Sequence, residues 1–352
     1  MGKSWSQSAW IPTPPITENN ICDQSGKVFI ITGGNAGVGL QLVKILYRAN
    51  ARIYMAGRSE QRVTEAIEVL CAAIPDSKGS LLWLPLDLAD LRSIKGAVEN
   101  FLTKETRLDV LWNNAGVMFP SGTVKTEQGH DLQMSTNVLG PYLLSKLLYP
   151  ILQETAETAP LSSVRVCWAS SLLIELSPQG GVDMDQSGSP ILSNNRFINY
   201  FVSKAANNQL AYECGRRYKT ANILSVVCYH ISLNSLFLYS VLCANTGKSF
   251  NPGNLNTDLT RHLMVPYLGW IQRLLQGLVL WPTRYGAYTE LYAGLSPDLT
   301  IDKHSGAYIW PWGRVGYLRS DIEDSLRSEV EGGTGKAAKL WAWCDQETAS
   351  FT

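Results

Sequence analysis

Tyr200 and Lys204 stand four residues apart in Tyr-Phe-Val-Ser-Lys, so on a helix both side chains share one face. A phenol can pass a proton to or from an oxygen atom, but its ordinary pKa of about 10 is high for neutral water. A neighbouring cation favours the phenolate, and Lys204 is such a cation. Taken alone, a tyrosine and a lysine at this spacing are a solvated helix face. A second group of residues suits phosphate. Residues 32–39 read Thr-Gly-Gly-Asn-Ala-Gly-Val-Gly, after the apolar run 27–31 and before residues 40–46, whose apolar spacing is helical. Glycines there let backbone N–H groups approach an anion, and the helix start adds partial positive charge. The candidate contacts are Thr32, Gly33, Asn35, Gly37, Val38 and Gly39. The spacing is G-x-x-x-G-x-G, not the commoner G-x-G-x-x-G.

The elements that must position these residues alternate along the chain. Strands are expected over residues 28–32, 51–56, 80–86, 108–112, 163–169 and 223–227. Helices are expected from the glycine turn to about residue 49, then over residues 60–74, 91–104, 129–154 and 200–218. Such alternation predicts an α/β fold, a doubly wound parallel sheet with helices on both faces. It forms a single domain over residues 25–352, behind an N-terminal tail of residues 1–24. In such sheets ligands sit beyond the carboxyl ends of the strands. The glycine turn, Arg58, Asp87, Asn113-Asn114 and Ser170-Ser171 all fall at such ends.

Composition narrows the function classes. Thirty basic residues balance thirty acidic ones and no basic stripe is visible, so nucleic acid is not an expected partner. Seven scattered cysteines without Cys-x-x-Cys spacing point to a reduced, cytoplasmic chain without structural zinc. His130, His230, His262 and His304 lie far apart in sequence, so no metal site is expected. The tail lacks the apolar core of a secretory signal. Its Met-Gly-x-x-x-Ser start matches a myristoylation pattern only loosely, and the tail reads as disordered or surface-hugging.

Over residues 25–312 the motifs together resemble the short-chain dehydrogenase/reductase superfamily. They are the glycine turn from Thr32 to Gly39, Asn113-Asn-Ala-Gly116, Asn137, Ser171, Tyr200 with Lys204, and Pro252-Gly253. The phrasing of residues 126–130, 136–140 and 308–313 is similar to the retinol-dehydrogenase-like branch, particularly its fungal members. The resemblance implies a Rossmann fold and nicotinamide-dependent oxidation of alcohols or reduction of ketones. It implies that Tyr200 is the general acid/base and that Lys204 lowers its pKa and holds the nicotinamide ribose hydroxyls. Ser171, with Ser170 as its rival, would hydrogen-bond the substrate oxygen. Asn137 would hold a relay water near Lys204; the other reading is a structural buried amide. Asp87 and Leu88 would flank the adenine, Asn114 would line the adenosine side, and Thr257 would touch the cofactor.

Cofactor choice depends on the residues just past the second strand. No carboxylate appears there before Glu60, and Arg58 offers a guanidinium suited to paired bonds with a phosphate. The reading is NADP(H), with Arg58 on the 2′-phosphate; a plain surface charge is the alternative. The family's mobile lid maps to residues 256–281. Residues 263–280 are strongly apolar and carry Tyr267 and Trp270, so the expected substrate is a lipophilic ketone, aldehyde or alcohol. A surface helix touching a membrane is the second reading, and Pro266, Gln272, Arg273 and Gln276 interrupt the segment too often for a span.

One departure from the family pattern stands out. Residues 228–250 separate the sixth strand from Asn251-Pro252-Gly253, which the family joins almost directly. Either the stretch extends the lid, or it is translated intron sequence. The second reading is favoured, because the family text on both flanks is intact and Val227-Cys228 can be encoded by a donor-like GTATGT. The expected function is an NADP(H)-dependent oxidoreductase, with a ketoreductase of fungal secondary metabolism as a fit and a homo-oligomer compatible with it. The rival is a nucleotide-binding protein whose catalysis is lost or impaired by residues 228–250; the presence of Tyr200, Lys204, Ser171 and Asn137 argues against it.

Overall fold

Val28–Thr32 (β1) is five consecutive apolar or β-branched residues, and all five are buried. Burial on both faces is what a central strand of a parallel sheet requires. The computed structural model describes residues 11–120, 124–230, 254–255 and 280–352. After β1 come α1 (Gly37–Arg48), β2 (Arg52–Gly57), α2 (Glu60–Ala73), β3 (Ser80–Pro85), α3 (Leu91–Leu102) and β4 (Val110–Asn113). They are followed by α4 (Gly140–Thr158), β5 (Val164–Ser171), α5 (Arg196–Arg217) and β6 (Ile223–His230). The remainder holds β7 (Asn254–Leu255), β8 (Leu280–Trp281), α6 (Arg284–Leu295), β9 (Ala307–Trp310), β10 (Arg314–Val315), α7 (Ser320–Leu326) and α8 (Lys336–Thr348).

Eight strands form one sheet in the order β10-β9-β6-β5-β4-β1-β2-β3, parallel except for the β9–β10 pair. Strand residues alternate between two cores. Val28, Ile30, Leu111, Val166 and Trp168 face α3, α4, α5 and α8. Phe29, Ile31, Val110, Trp112 and Cys167 face α1, α2 and α6. This is the period-two consequence of the pleat. Two buried charges fix the frame. The Asp109 carboxylate accepts from the Val28 N–H at 2.9 Å, from Lys27 and from Arg107, tying the starts of β1 and β4 together. Arg165 donates to the carbonyls of Ala293 and Ser296 at 2.9 and 2.7 Å, so a cation closes the C-terminal end of α6. Burial draws its guanidinium down to about 10.

The first five expected strands and the helices between them are present, with ends shifted by a few residues. Four differences matter more. The helix expected from residue 129 starts with a single turn at Leu132–Met134, passes through a π-turn at Ser135–Leu139, and becomes regular only in α4. α5 begins at Arg196, where the Asn195 side chain caps the Phe197 N–H at 2.9 Å, so Tyr200 lies in its second turn rather than at its start. β6 runs on through Cys228, Tyr229 and His230, which pair with Ala169, Ser170 and Ser171. The sheet therefore takes up the first three residues of the stretch 228–250. β9 and β10 were not expected from the sequence. Residues 231–250, Pro252, Gly253, Thr257 and the expected lid over residues 256–279 lie outside the described residues. Among the described residues, no helix is long and apolar enough to cross a membrane, no cluster is placed to hold a metal, and the six cysteines are free.

The spacing between α6 and the sheet is set by one contact. The Trp112 indole N–H donates to the Glu290 carbonyl at 3.0 Å, and its ring lies where a Gly294 side chain would be, 2.0 Å from an added Cβ. Gly294→Ala is expected to destabilise the fold by about 1–3 kcal/mol through overpacking. Urea unfolding reads this as a lower midpoint at unchanged slope; a wild-type midpoint would show that the helix moves away freely.

Candidate active site

The glycine turn closes over the start of α1. Gly33 and Gly37 have φ of +68° and +56°, the left-handed region that glycine enters without strain. A Cβ on Gly39 would lie 2.6 Å from the Gly33 carbonyl oxygen and 2.6 Å from Asn114 Nδ2, so a side chain there would push the turn apart. The N-cap residue Ala36 offers no side chain to the first N–H groups of α1, and no acidic residue lies in that first turn. Donors aimed outward, a helix start and a cradle that a Cβ would fill suit a pyrophosphate. Asn35 lies against Gly57 at the end of β2, 3.6 Å from where a Cβ would stand. Arg58 comes next, exposed, on the same edge.

Thr32 and Asn114 act first as braces. Thr32 Oγ1 accepts from the Ala115 N–H at 2.9 Å, and Asn114 Nδ2 donates to the Thr32 carbonyl at 2.8 Å. They lock the glycine turn to the loop after β4. Asp87 shapes the end of β3, its Oδ1 accepting from the Ala89 N–H at 2.9 Å.

The other end of the site converges on Gly116. A Cβ at Gly116 would stand 3.1 Å from Asn137 Oδ1 and 3.3 Å from Lys204 Nζ, so only the bare backbone lets both groups close in. Asn137 is fully buried, with both amide hydrogens donated and its oxygen bonded once. Oδ1 accepts from the Val117 N–H at 2.8 Å, while Nδ2 donates to the Val117 carbonyl and to Ser203 Oγ, each at 3.0 Å. The side chain thus holds the loop after β4 from within the π-turn, a local widening that often marks functional sites. Lys204 Nζ donates to the Ala169 carbonyl at 3.1 Å and lies 5.8 Å from the Tyr200 ring centroid. Asn207 donates to the same carbonyl at 2.8 Å, a partner the sequence did not single out.

The two serines at the end of β5 differ. Ser170 Oγ donates to the Lys204 carbonyl at 3.0 Å and accepts from Asn208, so it faces α5. Ser171 Oγ accepts from the Leu173 N–H at 3.2 Å and lies beside the Tyr200 phenol. Burial pushes that phenol well above its ordinary range, and the neighbouring Ser171 hydroxyl only partly opposes it. The sequence led us to expect a phenol lowered by Lys204. Here desolvation outweighs any such help, and burial also draws Lys204 down to about 8, with the charge of Glu290 opposing. Tyr200, Lys204, Ser171 and Asn137 therefore meet, and the glycine turn, Arg58, Asp87 and Asn114 line the same sheet edge. Thr257 lies outside the described residues.

The chain is similar to known proteins along nearly its whole length. The family profile described as short chain dehydrogenase matches residues 27–160. A short-chain dehydrogenase/reductase of Phomopsis amygdali is 41% identical over 99% of this chain and 97% of its own length. Short-chain dehydrogenase/reductase bet4 of Neocamarosporium betae is 38% identical over 99% of this chain and 93% of its own. Among solved structures, the NADP complex of Pseudomonas aeruginosa RhlG superposes with a TM-score of 0.57 at 20% identity, over 81% of this chain and 94% of that one. A 3-ketoacyl-(acyl-carrier-protein) reductase of Brucella melitensis complexed with NADH gives 0.55 at 18% identity, over 81% and 96%. Those two likenesses speak for the fold alone.

A buried ammonium is a stability cost that can be measured. Lys204 near 8 in the folded chain and near 10.4 unfolded means that the unfolded chain binds more protons between those values, so stability rises with pH there. Lys204→Met does not titrate at this position. It is expected to raise the unfolding temperature at pH 7, with the advantage shrinking from pH 8 to pH 10. An equal difference at both pH values, measured by thermal unfolding, would overturn the assignment.

Proposed function

The chain belongs to the short-chain dehydrogenase/reductase family, and on that premise we propose that it is an NADP(H)-dependent oxidoreductase interconverting a lipophilic ketone or aldehyde and its alcohol. One observation carries the reading. Tyr200, Ser171 and Lys204 meet beside Gly116, on the sheet edge that also bears the glycine turn. The family uses a nicotinamide nucleotide, which when bound supplies or takes up the hydride. In our assignment the turn from Thr32 through Gly39 holds its pyrophosphate, with Asn35, Asp87 and Asn114 along the nucleotide side. Arg58 takes the 2′-phosphate, supported by its exposed position past β2 and by the lack of a carboxylate before Glu60.

In the reductive direction the Tyr200 phenol gives its proton to the carbonyl oxygen. A phenol kept protonated by burial is suited to act as the acid. The Ser171 hydroxyl donates to the same oxygen and steadies charge developing there. Lys204 eases loss of the phenol proton and reaches the ribose hydroxyls, while Asn137 holds the loop that brings Gly116 against it. Binding without catalysis is the weaker reading. The first residues of the stretch 228–250 continue β6 and pair with Ser170 and Ser171, so they support the strand that carries Ser171. The fungal relatives and the free cysteines support a cytoplasmic biosynthetic ketoreductase.

Two substitutions test the reading. Tyr200→Phe is expected to lower kcat by about 100- to 10,000-fold, the usual worth of a general acid, with NADPH binding retained; unchanged turnover would sink the assignment. Arg58→Ala should weaken NADPH binding by about 10- to 100-fold, as expected for a lost charge-assisted bond, and leave NADH binding nearly unchanged. Equal losses for both nucleotides, read by nucleotide fluorescence, would remove Arg58 from the 2′-phosphate.

A further inference from the structure

Phe119 combines three properties that seldom occur together. Its side chain is fully buried. Its backbone has φ of +51°, a left-handed conformation that costs a bulky residue strain and that tends to persist only where surroundings over-determine it. Its ring meets the Tyr200 ring edge-on, with centroids 5.1 Å apart and planes at 66°. The same ring contacts Phe197 at 4.6 Å and Phe201 at 6.5 Å, so it fills the space between successive turns of α5 on the side of the phenol.

The strain is held by a double latch. The Phe119 N–H donates to Gln133 Oε1 at 3.1 Å, and Gln133 Nε2 donates to the Arg196 carbonyl at 2.8 Å. Gln133 is itself fully buried, so a broken bond there would leave an amide without water. In return, Arg196 Nη1 donates to the Pro120 carbonyl at 2.8 Å. Arg196 is the first residue of α5, the helix that carries Tyr200 and Lys204. The loop after β4 and the start of α5 are therefore clamped together around one aromatic ring.

We propose that Phe119 is a positioning residue for Tyr200: held in a strained backbone by the Gln133–Arg196 latch, its ring fixes the phenol's direction and keeps water from its flank. The proposal rests on Tyr200 being the acid/base of the reaction. Leucine at this position keeps apolar volume and loses the ring edge, so it separates filling from positioning. Gln133→Met breaks the latch without touching the ring.

The test compares wild type, Phe119→Leu, Gln133→Met and Tyr200→Phe in the full chain. Turnover is followed as NADPH loss with 9,10-phenanthrenequinone across pH 5 to 10. In parallel, the Tyr200 ring carbon is followed by NMR of the 13C-tyrosine-labelled protein, the resonance being assigned by its loss in Tyr200→Phe. Phe119→Leu is expected to lower kcat about 10- to 100-fold, the scale of a misplaced reacting group, with KM for NADPH unchanged. Water reaching the phenol should move its titration, and the matching limb of the pH–rate profile, to lower pH. Gln133→Met should move both in the same direction, which keeps the test alive if Phe119→Leu does not fold. Wild-type kcat and a wild-type Tyr200 titration in either folded variant would overturn the proposal. Retained turnover in Tyr200→Phe would overturn it together with the functional reading, whereas an inactive Tyr200→Phe beside an unaffected Phe119→Leu would overturn it alone.

Discussion

A lysine ammonium buried to 4% exposure governs the geometry around it. An unpaired charge in an apolar interior is costly, so its surroundings must supply acceptors and leave it space. The end of β5 supplies the Ala169 carbonyl, the loop after β4 supplies a residue with no side chain at Gly116, and α5 supplies the lysine itself. Each of those three segments is held in turn by buried amides, Asn137 on Val117 and Asn207 and Asn208 at the end of β5. The contacts around Gly116 and the end of β5 therefore accommodate one cation.

The loop after β4 joins the two halves of the site. On one side Asn114 and Ala115 brace the glycine turn through Thr32. On the other, Val117 and Phe119 are fixed by Asn137 and Gln133. A displacement that opened the turn would thus be felt beside Lys204 through a few bonded residues. Short braces of this kind make the two ends one rigid unit rather than two pockets that happen to adjoin.

Much of this was legible in the sequence, because β1 to β5 are short apolar runs separated by helical spacing, and that pattern alone dictates a parallel sheet. The glycine turn and the pairing of Tyr200 with Lys204 were visible because both are local in sequence. Gln133 and Phe119 were not, since their roles depend on contacts with residues far along the chain, such as Arg196 and Tyr200. Ser171 was preferred to Ser170 on the family resemblance and not on the residues themselves, for the same reason: adjacent strand residues point to opposite sides, and the register shows which side holds α5. β9 was missed because four residues of mixed size carry too little period to distinguish a strand from a turn. The sign of the Tyr200 shift could not be read either, because neighbouring charge is a matter of sequence spacing while desolvation is a matter of packing.

Asp109 closes the centre of the sheet by binding the start of β1 across 81 residues of chain. Such long-range closure is slow compared with forming the helices between. It nevertheless involves only the part of the chain made first. During synthesis the glycine turn and the loop after β4 can be braced against each other while Tyr200 and Lys204 are still unmade. Chain order thus permits the earlier half of the site to form first, and a nucleotide captured by that half would lend its binding energy to the docking of the later one.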